Sequence, residues 1–354
     1  MKRAKCFAVP CLTDFRYSCY PTLLPYSSHP MPSFQHLLLK QLLTAAAAPL
    51  ARRKPSVAAM RLAMEASSLF QFMPWHVYLE SLKLDNRLEA EWLRPRDAHP
   101  TRVLLYLHGG GYVLGSLNTH RSLVGSLAQR SGLNVLTINY RKAPDHPFPA
   151  ALDDAKRAYR WLLRQGYAPI DIVVAGDSAG GGLTLALLLA LRDAGQPMPA
   201  AGIGLSPWTD LNLPITALRR VAREEGLLLE ALQIRTWGSL YAHKTSLAHP
   251  LLSPTQAELQ GLPPLLIQVS TAEVLYEDVV KFVDKARAAG VSVALQPFEG
   301  LVHWWHLFWR ILPEARQALD QVAGFLEQMW ASQGAAKVPG LNLAARSVTR
   351  RRAA

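Results

Sequence analysis

The sequence predicts an α/β protein, with a mostly parallel eight-stranded sheet covered by helices on both faces. Three observations lead there. Short apolar runs such as Arg102–Leu107, Asn134–Asn139 and Leu265–Ser270 alternate with helical stretches, and near-continuous hydrophobicity is the mark of strands buried on both faces. Half of the 354 residues are hydrophobic, enough for a large core and against global disorder. At Val173–Gly182 an apolar strand runs through a glycine-rich turn directly into a helix, the βα unit of such sheets.

The elements follow in order. Residues 1–33 carry five prolines and little periodicity and read as poorly ordered chain. Phe34–Ala48 is apolar enough for a helix, yet residues 1–50 as a whole are expected to be a poorly ordered basic extension with no catalytic role. Ser56–Phe72 reads as a helix with Ser56 as N-cap and Pro74 beyond its end. Val77–Leu84 and Leu88–Arg94 pair around Asp85-Asn86-Arg87. The remaining strands are the three runs above with Asp171–Ala175, Ala200–Leu205 and Val291–Pro297. Helices are expected at Thr119–Ser131, Pro149–Gln165, Gly180–Ala194, Val274–Ala289 and Glu314–Trp330. The stretch 207–263 is helix-like without a strand and reads as an insertion above the sheet. The expected domain therefore spans 51–330, with a helical cap from 51–75 and 207–263, followed by a disordered basic tail at 331–354.

Charge narrows the function classes. The net charge of +12 invites a nucleic-acid or membrane partner. Residues 1–61 hold nine Lys and Arg against Asp14 alone, and 331–354 hold five with no acid. The body between them has 24 basic and 25 acidic residues, so no nucleic acid is expected and membrane contact is not called for. Cys6, Cys11 and Cys19 all lie near the start. No disulfide can staple the body, a cytoplasmic location is acceptable, and the thiol spacing matches no zinc site. Pro10 breaks the short apolar run after the basic start, a poor signal peptide. Leu183–Leu191 stops at Arg192 and Asp193, too short to span a bilayer.

The chemistry begins at Gly176-Asp177-Ser178-Ala179-Gly180. A serine hydroxyl needs a base and a sharp presentation to act as a nucleophile. A strand-to-helix turn supplies the presentation, and small flanking residues let strand and helix pass close by. Taken alone, G-x-S-x-G also describes an ordinary glycine-rich turn. Its context between buried strand and helix marks Ser178 as the candidate nucleophile. A P-loop is excluded because no Gly-Lys-Ser or Gly-Lys-Thr follows. The second motif, His108-Gly109-Gly110-Gly111-Tyr112, directly follows a strand. Backbone amides without side chains in the way suit a developing oxyanion. The donors expected are Gly109 and Gly110, with Ala179 just after the nucleophile.

HGGGY, YRKAPDHPFPAALDDA at 140–155, GDSAGGG and LSPWTDL at 205–211, in this order, resemble the bacterial hormone-sensitive-lipase-like carboxylesterases, the α/β-hydrolase fold-3 group. The resemblance covers about Ser56 to Trp330. It implies an α/β-hydrolase fold, an N-terminal helical cap, and cleavage of short- to medium-chain acyl esters.

The order in this fold is serine, acid, histidine. The acid is expected where Leu265–Ser270 ends, among Glu273, Glu277 and Asp278. Glu273 lies nearest the strand end, where active-site loops sit, while the other two fall a turn into the helix. Many relatives have Asp-Pro-Leu where this chain has Glu273-Val274-Leu275. A glutamate still offers the carboxylate that holds an imidazole tautomer. The resemblance places the base at His303, with His306 and the nearby Trp304, Trp305 and Trp309 as packing residues or pocket wall. His120, His146, His243 and His249 read as surface or loop residues. A small-molecule ester is the expected partner, without cofactor or metal, and homodimerisation is open. The rivals are a lactonase or amidase with the same triad, a non-catalytic ligand-binding member of the fold, and a peripheral lipase held by the basic ends.

Overall fold

A computed structural model describes residues 32–53, 55–212 and 228–336 of the chain. The strands are β1 (Val77–Leu84), β2 (Leu88–Pro95), β3 (Val103–Leu107), β4 (Asn134–Ile138), β5 (Ile172–Asp177), β6 (Ala201–Leu205), β7 (Leu265–Ser270) and β8 (Val293–Phe298). They form one sheet in the order β1-β2-β4-β3-β5-β6-β7-β8. β2 runs antiparallel to β1 and β4, and every other pair is parallel. The β1–β2 turn places Asp85 and Asn86 at positive φ, a conformation that short polar side chains tolerate.

The helices are α1 (Phe34–Arg53), α2 (Val57–Ser67), α3 (Leu117–Ser131), α4 (Ala150–Arg164), α5 (Ala179–Asp193), α6 (Leu228–Ala242), α7 (Tyr276–Ala288) and α8 (Pro313–Ala336). Alternation along the strands feeds two cores. Leu105, Leu136 and Val174 pack with α4, α5 and α7 on one face of the sheet. Leu104, Tyr106, Val135 and Val173 pack with α3 and α8 on the other. Each fully buried Leu or Val contributes roughly 1.5–3 kcal/mol. The sheet is thereby rigid where its carboxyl ends carry the site.

Several boundaries move. Ser56 caps α2 as expected, its side chain accepting from the Ala59 amide, but the helix ends at Ser67 and a 3-10 turn covers Ser68–Phe70. α8 runs past Trp330 to Ala336. In the insertion 207–263 the described residues contain α6 and no strand; residues 213–227 lie outside them, as do 1–31 and the tail 337–354.

The largest correction concerns residues 32–50, the described part of the expected extension. α1 is a 20-residue helix, and its first turns are docked. Leu39 joins Phe298, Leu301, Trp305 and Leu312 in a third apolar cluster. The Ser33 amide and hydroxyl both donate to the Glu314 carboxylate, at 2.6 and 3.0 Å. The helix itself is expected at Phe34–Ala48; tertiary burial of one apolar edge is what holds it in place. Removing residues 1–50 should therefore lower Tm by at least about 5 °C, from the lost Leu39 burial and Glu314 bonds. Differential scanning calorimetry checks this, and an unchanged Tm contradicts the docking.

Candidate active site

β5 reaches Asp177, Ser178 makes the turn, and α5 begins at Ala179. Ser178 has φ 51° and ψ −119°, a backbone that side-chain-bearing residues adopt only at a cost of order 1–3 kcal/mol. The surroundings hold it there. Its amide donates to the Leu205 carbonyl at 2.8 Å, and its carbonyl accepts from Gly182 and Trp208. A Cβ on Gly180 would run into the Leu107 carbonyl, and one on Gly176 into the Gly180 backbone.

The three side chains singled out in the sequence meet here. Ser178 Oγ lies 2.9 Å from His303 Nε2, and His303 Nδ1 lies 2.7 Å from Glu273 Oε2. The carboxylate accepts the Nδ1 proton, which leaves Nε2 as the acceptor for the serine hydroxyl. Glu273 is fixed in turn: its Oε1 accepts from the Ser206 hydroxyl at 2.6 Å and from the Ser270 amide at 3.0 Å. Asp278 stands apart, bonded to Lys281 at 3.0 Å. Burial pushes its carboxyl upward and Lys281 opposes this.

Gly109 requires a correction. Its amide, the second beyond β3, donates to Asp177 Oδ1 at 2.9 Å at the end of neighbouring β5. Gly110 and Gly111 follow at φ 115° and 63°, where glycine is at home. Among the described residues the amides of Gly110, Gly111 and Ala179 donate to no acceptor. The sequence reading missed Asp177, which occupies the variable position before the nucleophile. It also accepts from Tyr106 Oη at 2.7 Å and lies 3.3 Å from His120 Nε2. Burial pushes its carboxyl up, but His120, the Tyr106 bond and His108 outweigh that and bring it to about 2. His120 is thus buried and not a surface residue.

His306 and the tryptophans behave as packing. His306 stacks on Trp305 at 3.7 Å and bonds Gln268 at 3.1 Å, and burial lowers its pKa to about 3. Trp304 lines a cavity of about 10 Å³ beside Ser178 and His303. A far larger cavity of about 840 Å³ lies between α2 and the β1–β2 hairpin, and none of the three side chains lines it. The hydrogen-bonded geometry, not cavity size, marks the site. Asp177→Ala would strand the Gly109 amide and the Tyr106 hydroxyl. It should destabilise the protein by about 2–4 kcal/mol and lower kcat at least about tenfold through a loosened glycine loop. Urea unfolding and ester kinetics measure both; a fully stable, fully active variant contradicts the role.

Comparison with known proteins agrees with the fold. A family model described as the alpha/beta hydrolase fold matches residues 104–307. The chain is 46% identical to an acetyl-hydrolase of Streptomyces hygroscopicus over 238 residues, 67% of this chain and 79% of that one. A structure of EstE5 soaked with p-nitrophenyl butyrate superposes with TM-score 0.79 at 40% identity, covering 84% of this chain and 99% of that one. An esterase from the bacterial hormone-sensitive lipase family gives TM-score 0.78 at 38% identity, over 85% of this chain and all of the other. The chain belongs to the α/β-hydrolase fold family, within its bacterial hormone-sensitive-lipase-like group of esterases.

Proposed function

We propose that this esterase cleaves short- to medium-chain acyl esters through an acyl-enzyme on Ser178. The observation that carries the reading is the unbroken hydrogen-bond chain from Ser178 Oγ through His303 to Glu273. His303 Nε2 takes the serine proton as Oγ attacks the ester carbonyl. The amides of Gly110, Gly111 and Ala179 receive the oxyanion, and α5 points its positive end at the same place. His303 then gives its proton to the leaving alcohol. Water, deprotonated by His303, attacks the acyl group and releases the acid and Ser178. Glu273 keeps the imidazole in the reactive tautomer throughout. No step calls for a metal or cofactor.

The acyl preference rests on the cap and on relatives' names. Arg61 of α2 donates to the carbonyls of Val113 and Ala143 and pairs with Asp145. Trp237 of α6 packs against Gly111, where a Cβ would strike its ring. Both cap segments thus rest on the loop that carries the oxyanion amides, and we read them as the roof over the acyl group. The Streptomyces relative's name concerns an acetyl group, and the EstE5 crystal was soaked with a butyrate ester. A small-molecule ester is the partner this reading requires.

A panel of nitrophenyl esters of graded acyl length tests the reading, with highest kcat/KM expected for short to medium chains. Activity should fall as pH drops, because the base must be neutral. Ser178→Ala should lower kcat by ~10⁴-fold or more, and Glu273→Gln by roughly 10³-fold or more, since it scrambles the tautomer. Asp278→Asn should leave kcat within about threefold, as its carboxylate lies outside the chain of bonds. A Ser178→Ala enzyme with a tenth of normal turnover, or an Asp278→Asn enzyme as inactive as Glu273→Gln, overturns the assignment.

A further inference from the structure

The segment from β8 to His303 hangs on three successive backbone amides, each held by a side chain. The Gly300 amide donates to Thr271 Oγ1 at 3.1 Å, the Leu301 amide to Ser270 Oγ at 2.7 Å, and the Val302 amide to His36 Nε2 at 3.0 Å. Ser270 ends β7 and Thr271 follows it, in the stretch that also carries Glu273. His36 comes from α1, 266 residues away in sequence. It is the last anchor before His303, one peptide from it.

His36 Nδ1 is buried without a hydrogen-bond partner, so the bond to Val302 is the one its ring makes among the described residues. The residue is 0% exposed. A backbone amide can only donate, so Nε2 accepts, and the imidazole is neutral with its proton on Nδ1. Burial holds its pKa below the ordinary histidine value; Glu314 across the interface opposes this and Lys40, one turn along α1, adds to it. The segment facing it, Gly300 to Val302, carries no charge. The backbone around His36 is itself tied down. Ser33 caps the helix start, accepting from the His36 amide at 3.3 Å, and both polar groups of Ser33 hold Glu314. Leu39, one turn on, shares an apolar cluster with Leu301 and Trp305, which lie on either side of His303 in sequence.

We propose that His36 is a positioning residue for the catalytic base: by holding the Val302 amide it fixes His303 between Glu273 and Ser178. The proposal rests on the triad reading above. It makes α1 a working part of the site, not a cover. A histidine displaced by a fraction of an ångström meets Ser178 Oγ at a poorer angle, and turnover falls while substrate binding does not.

Three substitutions test it: His36→Gln, whose amide oxygen reaches about as far as Nε2; His36→Asn, whose amide oxygen stops short; and His36→Leu, which fills volume but accepts nothing. Each is assayed with p-nitrophenyl butyrate, with thermal unfolding alongside, and the nucleophile is titrated with a fluorophosphonate read out by peptide mass spectrometry. We expect His36→Gln to keep kcat within about threefold, and His36→Asn and His36→Leu to lose about tenfold with KM within about twofold. If His36→Leu does not fold, the Asn and Gln pair decides alone. Equal kcat in those two variants, or Leu active and Gln impaired as simple packing would give, overturns the proposal. Failure of the underlying triad reading looks different: the wild-type protein itself would then not label at Ser178.

Discussion

The chain reverses at Ser178 between β5 and α5 within a space that admits no side chains, and the surrounding residues are arranged to hold that reversal. Gly176 and Gly180 permit the contact between strand, helix and the Leu107 carbonyl. The positive φ of the serine is a strain that packing must maintain, and the Leu205 carbonyl and the amides of Gly182 and Trp208 maintain it. The same turn puts Asp177 beside the end of β3, where its carboxylate captures Gly109. One tight bend therefore sets both Ser178 and, through Asp177, the anchored end of the glycine loop.

The other half of the site is organised by the end of β7. Its last residues bind the Glu273 carboxylate through the Ser270 amide and bind the approach to His303 through Ser270 and Thr271 side chains. The Glu273 carboxylate and the approach to His303 thus hang from one strand end, and Ser206, just past β6, donates to Glu273. Buried carboxylates are tolerable only when hydrogen-bonded this fully. Asp177 and Glu273 are both in that condition, which explains why each is surrounded by donors from three different elements.

Much of this was legible in the sequence because the chemistry is local there. The strand–turn–helix at Ser178 and the glycines after β3 each occupy a few consecutive residues, and their place after a buried strand sets them apart from an ordinary glycine-rich turn. Glu273 could be ranked over Asp278 because distance from a strand end distinguishes them, whereas the choice of His303 over His306 rests on the family resemblance. What failed was what depends on long-range contact. Asp177 sits in a variable position of its motif, so nothing local says that its carboxylate holds Gly109 and shifts the expected donors by one residue. His120 lies on a helix that looks exposed until its partner on β5 is known. The docking of α1 could not be read because, among its described side chains, the buried edge is narrow, His36 and Leu39, and faces a loop near the far end of the chain. Boundaries such as the early end of α2 moved by a few residues, as helix ends set by packing do.

The central claim is that Ser178 carries the acyl group between two half-reactions. Rapid mixing with p-nitrophenyl acetate, quenching in acid and peptide mass spectrometry measure this directly. The account predicts a burst of nitrophenol followed by slower turnover, with an added acetyl group on the Ser178 peptide that disappears as the substrate is exhausted. Turnover with no acyl group on Ser178 at any time, or with the group on another residue, would contradict it.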